Sequence, residues 1–114
     1  MVEQTITIHD ADGTWVVRAR GAVIAESNAA LELVEGDYPP VIYFPREDVA
    51  MPFLDPSETT STCPHKGKAT YFSLVAKSGV IQDAAWSYES PHDGVSRIAG
   101  HIAFYPSKAT VEQL

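Results

Sequence analysis

The chain has one cysteine, Cys63, in 114 residues. A lone thiol cannot close an internal disulfide, so the fold has to rest on apolar burial. At this length a domain buries roughly 65% of the surface its unfolded chain exposes, enough for a core without disulfides or a structural metal. Positive charge is also scarce: 8 Lys and Arg stand against 15 Asp and Glu, a net charge of −7. That balance excludes the basic field by which proteins displace counterions from nucleic acid. It leaves room for a small anionic ligand, because two local cations can oppose the global charge. Long apolar runs are missing. The strongest candidates, residues 41–44 and 69–76, fall well short of the ~20 residues of a membrane helix. No secretory signal pattern is visible at the N-terminus, so a cytoplasmic chain without membrane attachment is expected. Metal-ligand spacing is lacking too. His9, His65, His92 and His101 show no i, i+2 or i, i+4 pattern and no cysteine pair, so neither a metal site nor a cofactor is expected.

What is present reads as short strands. Hydrophobic residues make up 45% and charged residues 20%, which suits one soluble globular domain over residues 1–114. Residues 4–9 alternate polar and apolar, the period of a half-buried strand. Asp10-Ala11-Asp12-Gly13 is turn chemistry, so a tight hairpin into residues 14–20 is expected. Arg20-Gly21 is a second turn before residues 22–25. Residues 31–34 form a further strand or a helical turn, and residues 36–40 a rigid loop. Val41-Ile42-Tyr43-Phe44 is β-branched and aromatic and ends at Pro45. Pro45, Pro52 and Pro56 mark residues 45–61 as irregular, a poor central strand or long helix. Residues 69–77 and 80–88 are strong strands joined by Ser78-Gly79. A short helix is expected within 95–99, a core strand over 100–105 and an edge strand at 110–111. The class is mostly β: short antiparallel strands in two sheets, a tent or sandwich, with at most one or two short helices.

Thr62-Cys63-Pro64-His65-Lys66-Gly67 gathers reactive and charged side chains where the backbone must bend. Pro64 pushes Cys63 toward extended backbone, and Gly67 permits a sharp turn. Lys66 and His65 could stabilise a Cys63 thiolate, which makes Cys63 and His65 candidate catalytic residues. The favoured reading of Cys63 is nevertheless a small buried apolar residue at a strand end, since free cysteine is often that. Lys66 and Arg46 both follow proline turns, and together they would favour a carboxylate or phosphate. Without a pocket, Arg46 would pair with Glu47 or Asp48 and Lys66 would be solvated. Trp86 and Tyr88 lie two apart on one strand face and could floor a ligand pocket. Tyr43, Tyr71 and Tyr105 are further strand aromatics, and such residues are commonly plain core.

Five segments together resemble a known family. They are residues 21–27, Tyr43-Phe44-Pro45-Arg46-Glu47-Asp48-Val49, Cys63-Pro64-His65-Lys66-Gly67-Lys68-Ala69, Trp86-Ser87-Tyr88-Glu89-Ser90-Pro91 and Ile102-Ala103-Phe104-Tyr105. In order and spacing they are similar to the domain of unknown function 427 family. The resemblance implies a compact, mostly β domain of β-tent type. A nucleotidyltransferase-like name is attached to that family. The chain has no Gly-rich phosphate loop, and its one Asp-X-Asp pair, Asp10 and Asp12, lies in an expected turn. Three functions follow as expectations. The first is a domain binding a small anionic ligand through Arg46, Lys66, Trp86 and Tyr88. The second is an enzyme with Cys63 as nucleophile. The third is a structural or interaction module, such as a homodimer paired through an edge strand.

Overall fold

The computed structural model describes residues 5–114, so Gln4, placed at the start of the first expected strand, lies outside the described residues. Ten strands follow in order: β1 (Ile6–Asp10), β2 (Trp15–Ala19), β3 (Ala22–Ser27), β4 (Leu31–Glu35), β5 (Val41–Tyr43), β6 (Leu54–Cys63), β7 (Gly67–Ala76), β8 (Gly79–Ser87), β9 (Ala103–Phe104) and β10 (Thr110–Gln113). Every pairing between them is antiparallel. Among the described residues helical structure is limited to 3₁₀ turns at Arg46–Asp48, Met51–Phe53 and Asp93–Ile98. The mostly β class is as expected. The strands divide into three sheets, ordered β1-β4-β5, β10-β2-β3 and β6-β7-β8-β9. Among the described residues no helix is long and apolar enough to cross a membrane.

Several local expectations change once pairing is known. The Asp-Gly turn after β1 does not close a hairpin: β1 pairs with β4, and β2 pairs with β3 and β10. Ala11 explains the difference. Its side chain is buried and its N–H donates to the Ala30 carbonyl at 2.9 Å, so this segment crosses between sheets instead of folding back. Arg20-Gly21 does close the β2–β3 hairpin, with φ of 53° and 78° at the two central residues, as tight primed turns require. The β7–β8 loop is Lys77-Ser78, one residue earlier than expected, because Ala76 pairs with Gly79. The proline-rich stretch is irregular only as far as Phe53. Residues 54–63 form a ten-residue strand. It lies at the edge of its sheet, where Pro56 has no second neighbour to bond.

Two apolar cores result. One gathers Val17, Ile24, Ile42, Phe44, Phe72, Leu74, Ile102 and Phe104. The other holds Leu31, Leu33, Tyr43, Ala69, Tyr88, Val95, Ile98 and Ala103. β5 and β9 run between them. Successive side chains on a strand point to opposite faces, so Ile42 enters the first core and Tyr43 the second, as Phe104 and Ala103 do. Phe44 and Ile102 exchange two backbone hydrogen bonds, at 2.8 and 2.9 Å, and join the two strands just beyond Tyr43 and before Ala103.

The β6–β7 hairpin carries the Cys-Pro motif. Cys63 pairs with Gly67 across three connecting residues. The Lys66 N–H donates back to the Cys63 carbonyl at 3.3 Å, and the Lys66 carbonyl accepts from the His92 N–H at 3.0 Å. Gly67 adopts φ +116°, a conformation that a side chain strains. Gly67→Ala is therefore expected to lower stability by about 1–3 kcal/mol in urea titration, although the added Cβ would meet only ordinary contacts, the nearest at 3.5 Å.

Candidate functional site

Lys66 leaves the hairpin turn and reaches the end of β4. Its Nζ donates to Glu35 Oε1 at 2.8 Å, and the two side chains are 12% and 14% exposed. This is the most buried ion pair among the described residues. Immediately after Glu35 the chain turns. The Tyr38 N–H bonds the Glu35 carbonyl at 3.0 Å, and Gly36 sits at φ +53°. That turn brings Tyr38 and Pro39 to the rim of a cavity of about 190 Å³. Lys66 and Glu35 form its polar end, and Tyr43, Trp86, Tyr88 and Tyr105 its aromatic wall. Tyr38 lines it while remaining 62% exposed.

The wall is held by ring contacts. Trp86 meets Tyr43 edge-on, with centroids 6.3 Å apart, and donates its indole N–H to the Tyr43 hydroxyl at 3.3 Å. On its other side Trp86 lies 4.5 Å from the Tyr105 ring, which stacks in turn on Tyr71 at 6.5 Å. The Tyr71 hydroxyl is 2.8 Å from the Ser61 hydroxyl. Lys66 Nζ stands 5.9 Å from the Tyr88 ring centroid, within cation–π range. Trp86 and Tyr88 face the cavity on either side of Ser87. Ser87 is fully buried, and its hydroxyl has no partner among the described residues.

Sequence reasoning named three more residues for this site, Cys63, His65 and Arg46. Cys63 is half-buried and packs against the second core beside Lys66, Tyr43 and Tyr88. His65 is exposed at the tip of the turn. Arg46 is not at the cavity. Its Nη1 donates to Glu89 Oε2 and to the Gly100 carbonyl, both at 3.0 Å, and its guanidinium lies 5.5 Å from the Phe72 ring centroid. Neither Glu47 nor Asp48 is its partner; Asp48 accepts the Ser27 hydroxyl at 2.6 Å. Lys66, Trp86 and Tyr88 are thus brought together, and Arg46 is not. Glu35 and Tyr38 had no sequence signal beyond their place at a strand end and in a Gly/Pro loop.

Burial sets the protonation of this site. It pushes the Tyr43 hydroxyl up to about 12, and with the neighbouring Tyr71 it does the same to Tyr105. Tyr88 is raised further, by burial and then by the nearby Cys63. Burial works against the charge on Lys66, but its bond to Glu35 and the nearby Cys63 outweigh this, and its pKa is raised. All four groups hold their protons more tightly folded than unfolded. Their contribution is therefore fully present below the unfolded values and is lost as pH rises through the folded ones. Urea stability is expected to fall between about pH 10 and about 12, the ordinary and raised values of Tyr43, and Tyr43→Phe is expected to make that fall shallower. Lys66→Met leaves the Glu35 carboxylate nearly buried without its partner and is expected to cost about 3 kcal/mol. Adding Glu35→Leu should recover most of it, as a double-mutant cycle in urea would show.

Comparison with curated proteins found no match. The family profile described as Domain of unknown function (DUF427) matches residues 7–113. That span includes the whole motif hairpin, the Trp86–Tyr88 strand end and all ten strands but the first residue of β1. The chain therefore belongs to the DUF427 family.

Proposed function

We propose that this chain is a small-molecule binding domain whose ligand occupies the Lys66–Glu35 cavity. The observation that carries this reading is an ion pair, nearly buried, that forms one end of an aromatic-walled cavity instead of being packed over. An apolar cavity of about 150 Å³ admits benzene, so about 190 Å³ suits one six-membered ring with a small substituent. Pockets of this kind combine aromatic walls with a few polar groups that orient the ligand.

The pair also restricts the polar group. Lys66 offers N–H donors beside the carboxylate acceptor of Glu35, 2.8 Å away. The complement is a ligand edge with an acceptor next to a donor, as in a carboxamide or lactam. A carboxylate, the class favoured by two converging cations, would find only Lys66, already balanced by Glu35, because Arg46 is engaged with Glu89 and Gly100. A neutral planar amide is the better fit.

Benzamide and benzoate make the test, followed by ligand-observed NMR. Fragments of this size bind at about millimolar Kd. Benzamide is expected to bind more tightly than benzoate. Glu35→Gln and Lys66→Met should each weaken it roughly tenfold or more, the scale of a hydrogen bond to a charged group. Arg46→Ala should leave it unchanged. Benzamide affinity unmoved by both Glu35→Gln and Lys66→Met would overturn the reading.

A further inference from the structure

A second cavity, of about 290 Å³, adjoins the first. Trp86 and Val41 line both. Its other walls are Trp15, Pro40, Ile42, Phe104 and Val111, with Pro106 at one side. Among the described residues one acid reaches it, Glu32, and that carboxylate is engaged by His9 Nε2 at 2.6 Å. The two cavities differ in chemistry for a structural reason. β5 passes between the two cores, and Ile42 and Tyr43, neighbours on it, each belong to a different one. The first cavity borders the Tyr43 core, and the second borders the Ile42 core. Trp86 stands at the junction, paired with Ala103 of β9 and bonded to Tyr43.

Small-molecule sites typically span about 300–1,000 Å³. Each cavity alone is below that range, and the two together are within it. We propose that they are two subsites of one binding site, resting on the reading of the Lys66 cavity given above. The ligand is then an amphiphile. Its planar amide-bearing ring lies against Lys66 and Glu35, and a hydrocarbon group passes Trp86 along Val41 into the apolar cavity. The second subsite accepts carbon chain or a further ring and offers no free charge.

A series from benzamide to 4-methyl-, 4-ethyl- and 4-butylbenzamide tests this, with Kd and methyl chemical shifts read by NMR. Affinity is expected to rise about fourfold per buried methylene. Leu33 methyls, at the polar cavity, should shift with every member. Ile42 and Val111 methyls should shift only with the alkylated ones. Val111→Asp should remove the gain while leaving benzamide itself unchanged. Val111→Trp, which fills the cavity without adding charge, should do the same if the aspartate variant folds poorly. Affinity flat along the series, or a gain that survives both variants, would overturn the proposal. Benzamide failing to bind is the separate failure of the Lys66 reading. In that case butylbenzene shifting Ile42 and Val111 alone would make the apolar cavity an independent site and overturn the two-subsite arrangement. Silence from both probes would overturn both.

Discussion

The Lys66–Glu35 ion pair is the constraint around which the site is arranged. Its two partners come from different sheets, Glu35 from the end of β4 and Lys66 from the β6–β7 turn. Taking two charges out of water costs several kcal/mol per ion, and attraction repays that cost only where geometry and further hydrogen bonds are good. A hydrophobic pair of the same volume would often serve stability as well or better. A nearly buried pair that faces open space is therefore poorly explained by stability alone. It does link two sheets at the polar end of the aromatic cavity.

The rest of the site follows from how β5 and β9 divide the interior. A single sandwich core would put all apolar side chains of these strands on one side. Here the alternation feeds two cores, and the Phe44–Ile102 bridge pins the strands together between them. Trp86 sits on the neighbouring strand at that division. It packs against the second core and stays partly exposed where it lines both cavities. The aromatic ring network from Tyr43 through Trp86 and Tyr105 to Tyr71 fixes its position. Ring contacts of this kind add about 0.5–1.5 kcal/mol each beyond burial, so the wall is tied together by its own side chains.

Local chemistry was legible in the sequence; long-range pairing was not. Pro64 and Gly67 announced a bend, and the bend aims Lys66 inward. Trp86 and Tyr88 announced a shared face by their spacing, and both line the cavity. The Asp12-Gly13 turn misled because turn residues specify curvature and not which strand will be met afterwards; Ala11 binding Ala30 decided that. Arg46 misled for a similar reason. A guanidinium takes the best fork of acceptors within reach, and Glu89 with the Gly100 carbonyl lies 43 and 54 residues away in sequence. Glu35 was invisible because nothing in a strand-end glutamate signals a lysine 31 residues on.

The Cys-Pro motif can now be divided by residue. Cys63 ends β6 opposite Gly67 and packs on the second core, so its side chain completes an apolar surface at the hairpin base. His65 stands exposed at the middle of the turn. A thiol is activated by a base in reach or by a neighbouring cation, and the cation beside Cys63, Lys66, is paired with Glu35 and holds its proton more tightly than a free lysine. A lysine so held is a hydrogen-bond donor at every physiological pH, well suited to orienting a ligand and poorly suited to abstracting a proton. Under the proposed reading the motif's chemistry rests on Lys66 as a donor, with Cys63, Pro64 and Gly67 forming the hairpin that carries it to the cavity.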